Sequence, residues 1–323
     1  MTAPANSPIT SSLATIREAQ KLLASYFPPT RLVPAPSISQ PNAAAYLKLE
    51  LELPTGSFKP RGALWGLTAN LRRQPIEEVT ASSTGNHGAA VAYAAKTLGL
   101  RATIFLPANP NPVKRKRIAD LGARIVESGG PDLAHAFLQA KKYSAHPGIF
   151  FLNDATDVDL PAGPATIGVE ILEQLPAVQA IYVPMGDTAL IRGVAAAIRQ
   201  LKPNVRIVGV QAERAPSYFL SWKEGRAVPT DTCDTCADGL ATRTPEADNV
   251  RAIRQLVDDV ILVSEDEMIE AIRRLHREGI TAEPSGAAAT AAFLKQPPPS
   301  GPAALLVTGG NITDAIRQRA GLQ

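Results

Sequence analysis

Short apolar runs alternate with longer segments of helical period over most of the chain. The runs at 46–51, 79–82, 102–106, 124–127, 149–152, 180–184, 206–211, 260–263 and 304–308 predict strands. Between them, 60–71, 86–98, 113–121, 132–143, 163–174, 189–201, 265–277 and 285–295 predict helices. An opening helix at about 12–27 carries Leu13, Ile16, Leu23 and Phe27 on one face. The strand runs are continuously apolar, as in Ile261-Leu262-Val263, which is how a strand reads when both its faces are covered. Alternating units of this kind predict an α/β chain, with a mostly parallel sheet and helices on both faces.

Composition narrows the classes. A chain of 323 residues has room for about two domains. Lys and Arg number 33 against 30 Asp and Glu, a net charge of +3 that leaves no footprint for nucleic acid. The densest basic stretch, Lys114-Arg115-Lys116-Arg117, is one helical turn and is expected as a solvated face. Hydrophobic residues at 45% and charged residues at 20% exclude disorder. No apolar run predicts a membrane span, and the first residues, uncharged before Arg17, lack the pattern of a secretory signal. Cys233 and Cys236 cannot staple a chain of this length, and a reducing, cytoplasmic compartment is expected. His87, His135, His146 and His276 show no metal spacing, so no metal is expected. Gly and Pro punctuate the periodic segments. Chemistry is therefore sought where strands run into helices, the place where open α/β sheets bind ligands.

Four such junctions stand out. Leu53 to Ala63 reads Leu-Pro-Thr-Gly-Ser-Phe-Lys-Pro-Arg-Gly-Ala, with Lys59 in a small-residue loop just before a helix. A cation is electrostatically misplaced at that end of a helix, a setting suited to an amine nucleophile, although a surface lysine fits the same pattern. Ala81 to Gly88 reads Ala-Ser-Ser-Thr-Gly-Asn-His-Gly, a run longer than a simple N-cap needs and suited to cradling an anion. Val183 to Gly193 places Gly186-Asp187-Thr188 between a strand and a helix, with Thr188 as a capping residue. Thr308-Gly309-Gly310-Asn311 follows the last strand, where glycines allow close backbone approach.

Taken together these segments resemble a known family. The motifs are Ser57-Phe58-Lys59-x-Arg61-Gly62-Ala63, Ser83-x-Gly85-Asn86-His87-Gly88, Ala237-Asp238-Gly239-Leu240-Ala241, Glu283-Pro284-Ser285-Gly286-Ala287 and the turn from Thr308 to Asn311. In this order they resemble the pyridoxal-phosphate enzymes of the tryptophan-synthase-β fold (fold type II), in the serine/threonine dehydratase and serine racemase branch. The resemblance covers about 12–316. It implies two open, mostly parallel sheets wrapped by helices. Residues 1–76 and 148–323 would form a large cofactor domain, and 77–147 a small mobile domain closing over the substrate.

The cofactor implied is pyridoxal 5'-phosphate. By the resemblance Lys59 is the Schiff-base lysine and general base, Phe58 packs near the pyridine ring, Asn86 bonds the 3′-oxygen, and Gly239 and Glu283 lie close by. Thr308 faces the ring nitrogen. A neutral hydroxyl there makes the ring a muted electron sink, which favours prompt loss of a β-leaving group. Gly186, Asp187, Thr188, Ala189 and Leu190 hold the phosphate. Ser83, Thr84, Gly85, Asn86 and His87 hold the substrate carboxylate. The implied reaction is β-elimination of a β-hydroxy-α-amino acid such as L-threonine or L-serine to a 2-oxo acid and ammonia, by a homodimer.

The chain also departs from the family. Its phosphate loop is usually four glycines; here Asp187, Thr188 and Ala189 follow Gly186, and Asp187 repels a phosphate unless it is turned away or protonated. Arg192, one helical turn after Thr188, is placed to compensate. Thr84 stands where racemases of this branch carry a catalytic serine, and its methyl crowds the position, so racemisation ranks below elimination. The family's AGQGT-like segment reads Ala162-Gly163-Pro164-Ala165-Thr166 and lies near the substrate entrance in the family, which points to an unusual substrate; elimination from a bulkier substrate such as an aryl serine is a rival reading. Glu213 fits one of the family's cation ligands and a Ser217 carbonyl could serve as another, but Phe219 cannot replace an acidic ligand, so that cation site is expected to be absent or weak. Asp154 and Asp157 are expected as turn caps. A rival reading is a non-catalytic small-molecule-binding protein; Asp187 favours it, while Lys59, Asn86 and Thr308 oppose it.

Overall fold

The computed structural model describes residues 10–83, 85–108, 110, 112–129 and 133–322. Among these, ten strands form two sheets. Leu32–Pro34 (β1), Ala45–Leu49 (β2), Ala180–Pro184 (β7), Arg206–Ala212 (β8), Asp259–Val263 (β9) and Ala303–Val307 (β10) make the larger sheet, in the order β1-β2-β10-β7-β8-β9. All its neighbours run parallel except β1, which pairs antiparallel with β2. Glu78–Ser82 (β3), Arg101–Leu106 (β4), Arg124–Glu127 (β5) and Ile149–Phe151 (β6) make the smaller, all-parallel sheet, in the order β5-β4-β3-β6. The two open, mostly parallel sheets expected from the sequence are present. Because β6 pairs with β3 in the register Glu78↔Ile149, the smaller sheet draws a strand from beyond the boundary expected at 147.

Among the described residues twelve α-helices wrap the sheets: Leu13–Leu23 (α1), Lys59–Leu71 (α2), Asn86–Leu98 (α3), Pro112–Asp120 (α4), Leu133–Tyr143 (α5), Ala162–Gln174 (α6), Ala189–Leu201 (α7), Ser217–Glu224 (α8), Ala247–Leu256 (α9), Glu265–Arg277 (α10), Pro284–Lys295 (α11) and Asp314–Ala320 (α12). None is long and apolar enough to cross a membrane. The opening helix stops at Leu23, while Phe27 still reaches the core from the turn that follows. The strands are apolar on both sides because both sides are covered. In β7, Ala180 and Tyr182 pack toward α10 and α11, whereas Ile181 and Val183 pack toward α6 and α7. Burying the Ile181 and Val183 side chains contributes about 1.5–3 kcal/mol each.

Helix α2 sits where the two sheets meet. Its Leu64 and Leu67 pack with α3 and the smaller sheet, and Trp65 packs with α1 and α6. Beneath it lies a fully buried charge quartet. The Arg61 guanidinium donates to Glu50 at 2.8 and 2.9 Å and to Glu170 at 2.5 and 2.9 Å. Lys48 Nζ donates to Glu170 at 2.6 Å and to the Thr30 carbonyl at 2.7 Å. Glu50 reaches the quartet because β2 stops at Leu49 and Glu50–Glu52 turns as a 3-10 helix, shorter than the strand expected to 51. Burial opposes the Arg61 charge, but Glu50 and Glu170 raise its pKa further. The quartet fixes α2 two residues from Lys59.

Candidate active site

The loops leaving β3, β7 and β10 converge on a cavity of about 330 Å³. Phe58, Lys59, Ser83, Gly85, Asn86 and His87 line it from the α2 and α3 side. Gly186, Asp187, Thr188, Ala189 and Leu190 line it from the β7–α7 loop, and Gly239, Glu283 and Thr308 complete the wall. Thr84, the remaining expected site residue, lies outside the described residues.

The helices that open on this cavity share a feature. None of α2, α3, α7 and α11 has a side-chain cap at its N-terminus. Of the helices that begin elsewhere, α1, α10 and α12 are capped by Ser12, Ser264 and Thr313, while α6, α8 and α9 have no side-chain cap either. Amides in a helix's first turn lack intrahelical partners and carry positive partial charge. The cavity is thus ringed with donors suited to an anion.

At α7 the backbone is shaped for this. Thr188 has φ +69°, the one non-glycine residue in the left-handed region among those described. A β-branched residue adopts that conformation only at a cost, and such strain clusters at ligand sites. Its hydroxyl accepts from Arg192 Nε at 3.2 Å, so Arg192 braces the loop. Gly186 admits no side chain, because a Cβ there would stand 2.3 Å from the Gly239 carbonyl oxygen. Asp187 does turn aside, accepting from the Thr242 hydroxyl at 3.1 Å. Desolvation and then the nearby Asp154 carboxylate push its pKa up to about 6.

Lys59 is the first residue of α2. Its Nζ ion-pairs with Asp154 and lies 5.2 Å from the centre of the Phe58 ring. His87 Nδ1 faces the same carboxylate at 3.7 Å, while His87 Nε2 bonds the Leu152 carbonyl at 3.0 Å. Burial lowers the His87 pKa. Asn86 donates to Glu283 at 2.5 Å. The Glu283 carboxyl is raised by burial, against the pull of Lys114. Ser285 Oγ accepts from the Gly239 amide at 3.0 Å, and Thr308 donates to the Ser285 carbonyl at 3.3 Å.

Three expectations change. The basic run is not a solvated face: Lys114 is buried, pairing with Asp238 at 2.5 Å and Glu283 at 3.2 Å. Arg117 reaches the Thr55 carbonyl and Asn311, whereas Arg115 and Lys116 do face outward, paired to Glu127 and Asp120. Helical spacing alone separates the two pairs: i and i+3 turn inward, Lys114 onto the cavity and Arg117 onto Thr55 and Asn311. Gly85 makes room for Lys114, since a Cβ there would lie 2.1 Å from its Cδ. Second, the Ala162-to-Thr166 segment does not line the cavity. It opens α6 against α2, Gly163 lies on the Arg61 carbonyl, Thr166 accepts from Arg61, and Pro164 sits in a first turn that tolerates proline. Third, Asp157 caps the turn as expected, together with Asn153, but the Asp154 carboxylate reaches Lys59 instead.

Residues 23–309 match the family described as pyridoxal-phosphate dependent enzyme. The chain is 38% identical over 270 residues to an L-threonine ammonia-lyase of Geobacter sulfurreducens, covering 83% of this chain and 67% of that protein. It is 34% identical over 304 residues to an L-threonine ammonia-lyase of Thermotoga maritima, covering 93% and 76%. Among solved structures, maize serine racemase matches with a TM-score of 0.90 at 29% identity, over 97% of each chain.

Proposed function

As this chain belongs to the pyridoxal-phosphate-dependent enzyme family, we propose that it is an ammonia-lyase removing water from a β-hydroxy-α-amino acid, L-threonine or L-serine, to give a 2-oxo acid and ammonia. The observation that carries this reading is Lys59, a primary amine placed in a cavity ringed by uncapped helix N-termini.

The residues present fit pyridoxal 5'-phosphate. The α7 N-terminus offers amides for the phosphate, Lys59 the amine that holds the aldehyde carbon, and Thr308 a neutral hydroxyl for the ring nitrogen. Gly239, Phe58 and Glu283 border the same space. When bound, the cofactor supplies an electron sink that makes the α-proton of an attached amino acid removable. Lys59 Nζ then takes that proton as general base. The loop carrying Ser83, Thr84, Gly85, Asn86 and His87 orients the substrate carboxylate with amide and side-chain donors. Asn86 is itself held by Glu283 and by Asn311, which donates to its oxygen at 2.7 Å.

This loop belongs to the smaller sheet, and α7 and α11 to the larger, so the two lobes share one cavity. Movement of the smaller lobe, roughly from 77 to the end of β6, would open and close it. A cytoplasmic homodimer completes the reading; two free cysteines suit a reducing compartment, and sedimentation tests the dimer.

Asp187 gives a pH signature. Below about pH 6 it is protonated and neutral; above that it is a carboxylate beside the phosphate loop. Cofactor affinity of the apoprotein is therefore expected to fall as pH rises through 6. Asp187→Asn should remove this step and bind about tenfold tighter at pH 8, the equivalent of ~1.4 kcal/mol. Absorbance titrations at pH 5 and 8 check both statements.

The function itself is tested by ammonia release from L-threonine, L-serine and L-threo-phenylserine. Release from the first two in preference to the third is expected, because Pro164 does not shape the cavity. No ammonia from any of them overturns the reading.

A further inference from the structure

Asp154 brings into the cavity a carboxylate that the turn after β6 does not need. The amides of that turn are held by its neighbours: Asn153 Oδ1 accepts from Ala155, and Asp157 Oδ1 accepts from Asp159 and Leu160. The Asp154 side chain lines the cavity instead, with the residue only 9% exposed. Among the described residues two groups come within ion-pair reach of it: Lys59 Nζ, and His87 Nδ1 at 3.7 Å. Burial disfavours a charge on His87. Asp157, Asp187 and Arg192 are the other charged groups nearby, and the Arg192 guanidinium is taken by the Thr188 hydroxyl at 3.2 Å and the Ala155 carbonyl at 3.4 Å. Lys59 is thus the cation that balances Asp154.

That balance conflicts with the work proposed for Lys59. An ammonium has no lone pair, so Lys59 cannot take a proton while it serves Asp154 as a cation. To act as base it gives up its charge, and the carboxylate is left buried without its contact cation, a costly state. A substrate able to bring its own cation to Asp154 removes the conflict. A hydroxyl on Cβ offers one neutral donor, whereas an ammonium there offers three donors and the missing charge. The structure marks the place with an ammonium of its own: Lys59 Nζ is held by the Asp154 carboxylate and stands over the Phe58 ring, 5.2 Å from its centre. Because Nζ must approach Cα to take its proton, the substituent on Cβ, two bonds away, comes within reach of the same carboxylate.

We propose that Asp154 selects the substrate by the charge of its β-substituent, and that the substrates it favours are α-amino acids with an ammonium on Cβ, which leaves as ammonia. The proposal rests on the role of Lys59 as base in the reading above and extends that reading to a second leaving group. Lys59 Nζ takes the proton of Cα as the Cα–H bond breaks. The electron pair of that bond forms the Cα–Cβ double bond as the Cβ–N bond breaks, and the Cβ–N pair departs on nitrogen. The ammonium leaves as neutral ammonia with the three hydrogens it brought. Asp154 stays a carboxylate throughout and gives no proton. With 2,3-diaminopropionate as substrate, water hydrolyses the released enamine to pyruvate and a second ammonia, and no oxidant or reductant is needed.

The test compares two substrates on the holoenzyme. L-2,3-Diaminopropionate and L-serine differ only in the ammonium or hydroxyl on Cβ, and both end as pyruvate, so one assay reads both. In wild type kcat/KM is expected to be at least about tenfold higher for the diamine. In Asp154→Asn the ratio of the two kcat/KM values should fall by about tenfold to 100-fold, the worth of a hydrogen bond to a charged group, chiefly through KM of the diamine. The ratio cancels any loss common to both substrates, including a displaced Lys59 or a fraction of inactive protein. Asp154→Glu keeps the charge and should keep a preference for the diamine. Asp154→Asn apoprotein should take up one equivalent of pyridoxal phosphate by absorbance titration; failure to do so would assign Asp154 to holding the cofactor and overturn the proposal. A wild-type kcat/KM no higher for the diamine than for L-serine, or a ratio unmoved by Asp154→Asn, overturns it as well. Wild-type protein that turns over neither the diamine nor any β-hydroxy amino acid overturns the functional reading and this inference with it. Turnover of L-threonine and L-serine without the diamine overturns this inference alone, and turnover of the diamine alone overturns the hydroxy-amino-acid reading while supporting this one.

Discussion

Lys59→Ala protein is expected to lose the visible absorbance of the covalently held cofactor and to free ammonia from L-threonine at less than about one-thousandth of the wild-type rate. The cavity contains a second lysine, yet that residue cannot deputise. Lys114 Nζ is held by Asp238 and Glu283, and burial of its stem against Gly85 leaves it no path across the cavity. Replacing Lys59 also leaves Asp154 buried with its ion-pair partner gone. In wild type the Asp154 carboxyl is depressed, so its ion pair adds stability above the unfolded carboxyl's titration range and loses it only as pH falls through the folded value. In Lys59→Ala His87 alone is left to offset burial, so the Asp154 carboxyl lies higher than in wild type and the variant gains less stability as pH rises through the carboxylate range. Urea unfolding of the two apoproteins at pH 5 and pH 8 should show the variant closest to wild type at the lower pH. A variant as stable as wild type at pH 8 would show that Asp154 draws no stability from Lys59.

The site was legible wherever chemistry is written locally, as a run of small and polar residues between a strand and a helix. Lys59, the run after β3, the loop after β7 and the Thr308 turn each stand where a strand runs into a helix, and they become specific only when taken together. What stayed hidden depends on distance in space. Asp154 reads as a turn residue because its neighbours are turn residues; only the meeting of β6 with α2 puts it on Lys59. Lys114 and Arg117 read as half of a solvated run, since no sequence signal says which face of α4 turns toward Glu283 and Asn311. Their i, i+3 spacing was the available clue. The unanticipated elements are short or polar. β1 has three residues, and α9 shows Val250, Ile253 and Leu256 on one stripe but follows a Glu246 that makes no side-chain cap. Thr188 takes a left-handed backbone conformation that favours glycine, at a position where the resemblance leads one to expect glycine.

Arg61 carries the second large effect. Arg61→Met is expected to destabilise the apoprotein by about 3–5 kcal/mol, because breaking a buried ion pair from one side leaves its partners charged and dry. Glu50 and Glu170 would lose the guanidinium that gives them four hydrogen bonds, and Lys48 alone cannot answer two carboxylates. The effect is set by the charge left behind more than by the bonds removed. Adding Glu50→Gln to Arg61→Met restores the balance of one cation to one anion, Lys48 to Glu170, and should recover more than half of the loss. Adding Lys48→Met instead should deepen it. Urea midpoints at constant m-value decide between these outcomes. Activity should follow a different course. Arg61 anchors the turn of α2 that begins with Lys59, so the partly rescued double variant should regain stability while its kcat stays reduced. Recovery of both together would mean that the quartet only holds the fold; recovery of stability alone would mean that it also aims Lys59.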